Sequence, residues 1–436
     1  IVVYPGTYAE YVRITQKNIT LQSKSGPDGT ILDGKDGTGI YIVNGDPVIK
    51  DLTINGFYNG IYVWEANSGK TLKPIITGNK ITNSRSNGIY LTGKTAPTIQ
   101  SNIIDKNTYY GIRFDDYNTV TGDAIPLISK NTINGHNRGI CVGGVIHAVV
   151  QDNIISNNDY GIEILKNATV SVLGNTISGN MDDGLRFYLC KKGSEVRNNI
   201  IKDGGTGIGI NGAGSYQITG NTISKNRNGI YLGMESSGPS SVLISANSIS
   251  GSITEYAEGG SGIVVQGPGR ISIMNNNITG NTAANSGGGM NISASDTVEI
   301  SGNTISGNTA AYYGGGIILN CTGLVIISKN TIANNSVGTY GGGIMIQPGT
   351  KANITGNEIK SNAAGDSGGG IWGTAQGWAK TEVVTVSGKP QTVPRYVPCF
   401  TETTNTYSGN SNGKKQGAWG PGIDKWCADS GFDVYP

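Results

Sequence analysis

Four charged side chains, Arg113, Asp115, Glu163 and Arg186, are the best candidates for chemistry in this chain. Hydrolysis of a glycosidic bond needs two carboxyl groups, set about 6.5–9.5 Å apart in an inverting pair. Asp115 and Glu163 would supply them. β-Elimination of an acidic sugar needs instead a base and a cation to neutralise the sugar carboxylate. Arg113, Arg186 and Lys166 could be that cation, or Ca²⁺ could, held by Asp115, Asp116, Asp182 and Asp183. A sugar ring also has an apolar C–H face on which flat aromatics pack, and Tyr62, Trp64, Tyr90, Tyr188 and Tyr231 are candidate platforms. Simpler roles compete for the same residues. Asp pairs in turns cap backbone groups. Stacked tyrosines stabilise a sheet with no ligand. Glu163 and Arg186 on adjacent coils would form a surface ion pair worth about 0–1 kcal/mol. His136 and His147, the only histidines, read as hydrogen-bonded turn residues with no triad around them.

These residues are neighbours only if something brings them together, and the repeat does. Gly-Ile-x-apolar or a close variant recurs fourteen times, its glycines at 39, 60, 88, 111, 139, 161, 184, 207, 229, 262, 289, 316, 343 and 370. A second marker, Asn-x-Ile, keeps step from Asn79 to Asn357. A period of 20–30 residues means a solenoid. Within one repeat, residues 217–232 (QITGNTISKNRNGIYL) read as three short strands separated by turns. Alternation is period two, with β-branched residues in the strand slots. We therefore expect an all-β chain, a single right-handed parallel β-helix of about 14 rungs with a short irregular C-terminal cap. Residues 1–372 would form the helix and 373–436 an excursion and cap. Stacked Ile would make the core and stacked Asn an amide ladder. Gly before Ile would supply a turn residue with positive φ.

In each Gly-Ile-x-apolar the Ile points in and x points out. The outward column then reads Tyr41, Tyr62, Tyr90, Arg113, Cys141, Glu163, Arg186, Gly209, Tyr231. Beside it run Val43, Trp64, Thr92, Asp115, Gly143, Leu165, Tyr188, Asn211, Gly233. At about 4.8 Å per coil, two coils separate Asp115 from Glu163 by roughly 9.6 Å, at the edge of the inverting window. Beyond Tyr231 the column turns bland (Val264, Asn291, Ile318, Met345) until Trp372. Inserts at 63–74, 115–128 and 233–241 could wall a groove.

Composition narrows the field. With 69 glycines, 14% charged residues and a net charge of +2, the chain is neither a disordered polar tail nor a nucleic-acid binder. No apolar run is long enough to span a membrane. Among five cysteines, Cys399 and Cys427 could staple the cap, while Cys141, Cys190 and Cys321 read as free and buried. The chain opens directly on a strand-like segment. A first coil needs a cap over its edge, so we expect one removed with a leader or supplied by another molecule.

The segment VYPGTYAEYVRITQKNITLQS (3–23) resembles the first rung of the pectin-lyase-like right-handed parallel β-helix superfamily, in its carbohydrate-binding and sugar-hydrolase repeat type. Repeats such as ISGNTISGNTAAYYGGGIIL (300–319) are similar to the Gly-Gly-Gly repeats of surface adhesins. The resemblance implies an extracellular or cell-surface protein with a polysaccharide partner. The superfamily's sharper patterns, Asp-Pro-His-Glu, Gly-His-Gly and Arg-x-Pro-x-x-Arg, do not occur. Three functions stay open: a polysaccharide lyase or glycosidase, a non-catalytic carbohydrate-binding protein, and a structural or adhesive element associating with its own copies end to end or edge to edge.

Overall fold

The computed structural model describes residues 1–412 except 121, 191–192, 235–240, 256–259, 367, 374–377, 387–388 and 397–399; at 378–386, 389–396, 400–402 and 412 it describes the backbone alone. Cys399, Cys427, Trp419 and Trp426 lie outside the described residues. The described elements are all β-strands, and no helix among them is long and apolar enough to cross a membrane. The chain divides into two compact units, Ile1–Ile223 and Ser224–Pro436.

Each coil of the first unit contributes one strand to each of three parallel sheets, as Ile75–Thr77, Lys80–Thr82 and Asn87–Thr92 do in turn. Parallel pairing in strict register aligns Ile61, Ile89, Ile112, Ile140 and Ile162 in one column and Ile54, Ile81, Ile104, Ile133 and Ile155 in another. All are fully buried. Burying each such side chain contributes about 1.5–3 kcal/mol, an upper figure because the unfolded chain already hides part of that surface.

The second unit repeats the plan with a fourth sheet, six strands from Ile253–Thr254 to Ser411–Asn412. Its inward residues Ala283, Ala310, Val337 and Ala364 form a small buried cluster. An antiparallel hairpin, Trp378–Val386 with Lys389–Tyr396, interrupts the coils. Beyond it, Phe400–Thr403 pairs with Lys351–Thr355 and Thr406–Ser408 with Glu358–Lys360.

The expected amide ladder is present. In the first unit each Nδ2 from Asn79 through Asn102, Asn131, Asn153, Asn175 and Asn199 donates to the Oδ1 of the next Asn at 2.9–3.1 Å. A second ladder lies one turn further round the coil. It includes Asn107, His136, Asn158 and Asn180. The glycines before Ile play a different part from the one expected. Their φ angles are not positive; left-handed residues sit instead just before the ladder asparagines, as at Gly78, Lys130, Asp152 and Gly174. What Gly88 provides is close approach: a Cβ there would lie 2.6 Å from the Gly111 carbonyl oxygen and 2.9 Å from Ile104 Cγ2.

Candidate functional site

The outward column of the first unit is in register as the repeat requires. Arg13 pairs with Tyr41, then Tyr62, Tyr90, Arg113, Cys141, Glu163, Arg186 and Gly209 follow, one per coil. Arg113, Glu163 and Arg186 therefore share one face. Trp64 stands beside Tyr62, and Tyr188 beside Arg186, both 38% exposed.

The aromatic end is a stack. Tyr41, Tyr62 and Tyr90 lie with centroids 5.1 and 4.9 Å apart and planes tilted by 22° and 24°. Trp64 is parallel to Tyr41 at 6.4 Å. Both faces of Tyr62 are thus covered by neighbouring rings, which leaves its edge and hydroxyl to meet a ligand. Arg13 caps the stack over Tyr41. Burial raises the phenol pKa of Tyr41 and Tyr62, and at Tyr90 burial and the Asp115 carboxylate raise it well above its ordinary value. The phenols stay protonated and act as donors. Tyr90 donates to Asp115 Oδ2 at 2.5 Å, and the Tyr117 N–H donates to Asp115 Oδ1 at 2.6 Å.

Below Tyr90 the face becomes an alternating lattice of guanidinium and ring. Arg113 lies over Tyr90 and Tyr110, Arg138 over Tyr110 and Tyr160, and Arg186 over Tyr160 and Tyr188, all 4.7–5.7 Å from the centroids. Each contact is worth about 0.5–1 kcal/mol where exposed. Glu163 lies beneath two of these cations. Its Oε2 accepts from Arg138 Nε at 2.5 Å, and its Oε1 is 3.6 Å from Arg186 Nη1. Glu163 is 4% exposed, so this is a buried anchor rather than a surface pair. Burial pulls the Arg138 pKa down, but the Glu163 hydrogen bond and charge, with smaller help from Tyr110 and Cys141, together outweigh it and the pKa is raised. Asp183 is 3.9 Å from Arg186 Nε. Among the described residues Arg113 has no carboxylate within 4 Å. Cys141, in the same column, is buried and its thiol is pushed up to about 12 by burial and by Glu163, so it is an inert filler.

Tyr110, Arg138 and Tyr160 escaped sequence reasoning. They occupy the position just before the glycine, which strict alternation from the Ile would turn inward. They are in register with one another and half-buried, with rings and guanidinium meeting the outward column. A column of Tyr, Arg and Tyr read one residue before the glycine was the available sign.

Other candidates do not converge. Asp115 stands just past its strand, two residues beyond the outward column that holds Glu163 and two coils away from it, so their backbones are roughly 12 Å apart. Their side chains also diverge, Asp115 towards Tyr90 and Glu163 towards Arg138 and Arg186. Asp116 follows strand Tyr110–Phe114, while Asp182 and Asp183 lie at the start of Asp183–Tyr188, three coils or about 14 Å on. Among the described residues no group of three or more His, Cys, Asp or Glu is placed to hold a metal ion, so this acidic trio does not fit a shared Ca²⁺. The insert after Trp64 is fastened by Glu65, which accepts from Ser68 Oγ and the Gly69 N–H. Tyr231, in the second unit, donates to Gln266 Oε1 at 2.9 Å.

A family model described as a right handed beta helix region matches residues 28–142, 119–239 and 206–387. No curated protein matches the chain. Solved structures give distant likenesses. The AlgE6 A-module of Azotobacter vinelandii mannuronan C-5 epimerase is 16% identical over 80% of this chain and 90% of its own, with a TM-score of 0.37. The AlgE4 A-module from the same organism is 13% identical over 98% and 90%, at 0.29. The catalytic unit of a GH87 α-1,3-glucanase from Streptomyces thermodiastaticus is 14% identical over 99% of this chain and 65% of its own, at 0.28.

Proposed function

This chain belongs to the right-handed β-helix family, and on that footing we propose that it binds a polysaccharide along the outward face of its first unit, from Tyr41 to Tyr188. The observation that carries this reading is the unbroken lattice of rings and guanidiniums on one face, repeating about every 4.8 Å. Fixed guanidinium edges and phenol hydroxyls bond sugar hydroxyls, and Trp64 and Tyr188 offer apolar surface to C–H groups. Holding Arg138 and Arg186 on Glu163 lowers the ordering cost of binding. Such a ligand places the protein outside the cell or at its surface.

The test is affinity electrophoresis of the whole chain in gels carrying pectate, alginate or a neutral glucan. Retardation by at least one is expected. Arg113→Ala and Trp64→Ala should each weaken it about tenfold while leaving the melting temperature nearly unchanged. Retardation by none, or retardation that both variants keep, would sink the proposal.

A catalytic reading has one observation in its favour. Tyr90, Arg113 and Asp115 cluster, with the phenol 2.5 Å from the carboxylate and the guanidinium over the ring. In a lyase Arg113 would neutralise the sugar carboxylate, and the Tyr90–Asp115 pair would take up the proton beside it and return it to the glycosidic oxygen that departs as the C–O bond breaks and the double bond forms. Absorbance of an unsaturated product from pectate or alginate, lost in Tyr90→Phe, is the outcome it requires.

A further inference from the structure

We propose that the second unit carries its own glycan-binding ledge, suited to an uncharged polysaccharide and independent of the first-unit face. In this unit the outward column is roofed over. Val264, Ile318 and Met345 hold the positions that Tyr62 and Tyr90 hold in the first unit, yet they are 1%, 6% and 3% exposed. The cover is backbone. The first glycine of each Gly-Gly-Gly runs across the column, and a Cβ on Gly314 would lie 2.8 Å from Ile318 Cβ, and on Gly341 2.7 Å from Met345 Cβ. Gly314 and Gly341 have φ of 61° and 72°, which makes glycine the residue for this crossing.

The residues just before these glycines become an aromatic row of this unit's surface. Tyr313 and Tyr340 pair in register and stack at 6.2 Å with planes 10° apart. Trp372 continues the stack on Tyr340 at 4.8 Å. A polar row runs alongside, made of Asn285, Tyr312, Thr339 and Asp366: the Tyr312 N–H donates to the Asn285 carbonyl, the Thr339 hydroxyl to the Tyr312 carbonyl, and the Asp366 N–H to the Thr339 carbonyl. Tyr312 is 54% exposed, with its ring 6.4 Å from Tyr313.

The coil does not demand these rings. Ser286 fills the same register position one coil before Tyr313 and makes the same backbone bridge. Aromatic surface beside fixed hydroxyl, amide and carboxylate groups is the pairing that a sugar's apolar face and hydroxyl rim call for. The two rows contain no cation, and their one charge is Asp366. An acidic polymer gains nothing there, whereas a neutral glycan meets both kinds of contact.

The whole chain should be run in gels carrying dextran, mixed-linkage β-glucan or pectate. The double substitution Tyr313→Ser and Tyr340→Ser copies the Ser286 coil, and Tyr312→Ala removes an exposed ring. Each should cut retardation by a neutral glucan about tenfold and leave untouched any retardation that Arg113→Ala abolishes. If the wild type ignores both neutral glucans, or if Tyr312→Ala and the double variant bind them as it does, the ledge is not a glycan site. Should the double variant not fold, Tyr312→Ala alone decides. Loss of binding in Arg113→Ala alone would leave the first-unit reading standing and overturn this one.

Discussion

Glu163 lies under two guanidiniums with almost no contact with water, and this decides its role. A general acid must reach its substrate, but both carboxylate oxygens of Glu163 face Arg138 and Arg186 and the side chain is almost wholly buried. Its work is to fix Arg138 and Arg186. Glu163→Gln keeps the shape and removes the charge, leaving two partly buried cations without their shared anion. Breaking a fully buried pair costs 3–5 kcal/mol. Arg138 and Arg186 are 27% and 21% exposed, so water offsets part of that, and we expect a loss of about 1–3 kcal/mol. Urea denaturation of the two proteins side by side measures it; a shift under about 0.5 kcal/mol would show that the anchor is dispensable. Neighbours in the outward column were legible because x alternates out from a buried Ile. Arg138, Tyr110 and Tyr160 were not, because the close approach at the glycine breaks the alternation that period-two counting assumes. The expectation of a positive φ at the Gly before Ile failed for a related reason: a glycine in the sequence shows that no side chain fits, but not whether a dihedral or a neighbouring carbonyl forbids it.

At the scale of the element, the second polar ladder contains one odd member. Where the neighbouring coils place Asn107 and Asn158, this coil places His136. Its Nδ1 accepts the Asn107 N–H at 3.1 Å and also lies 2.8 Å from the Asn107 carbonyl; its Nε2–H donates to the Ile104 carbonyl at 3.1 Å. Burial lowers its pKa; the two backbone carbonyls and Asp105, the charged group acting on it, pull the other way and lose. The folded state therefore prefers neutral His136, whereas the unfolded chain protonates near pH 6.5. The stabilisation is complete above that pH and is lost as pH falls from 6.5 towards the lower folded value. His136→Asn restores the ladder and removes the proton. The variant should gain on the wild type in melting temperature as pH drops from 7 to 5, with the gap closing at pH 8. Parallel curves across that range would show that the imidazole does not titrate with unfolding.

For each unit as a whole, stability is a sum of coils and of the contacts between consecutive coils. This is why fourteen imperfect copies made the fold readable while single outward residues did not make the chemistry readable: every copy votes on the core, and each coil has its own x. The same additivity limits how far damage spreads. Asn175 donates to Asn199, to the Val150 carbonyl and to the Leu173 carbonyl, and it accepts from both the N–H and the Nδ2 of Asn153. Asn175→Ala leaves those groups buried and unpaired, each at about 1–3 kcal/mol before relaxation. In a globular core such a loss would be shared by the whole cooperative structure. In a stack it falls on the coil that holds Asn175 and its two neighbours. Hydrogen exchange followed by mass spectrometry should therefore speed up at Ile154–Ser156, Thr176–Ser178 and Ile200–Lys202 and stay unchanged at the far coils, such as Thr53–Asn55. Uniform acceleration across the first unit would mean that its coils unfold together, and the nearest-neighbour account of its stability would fall.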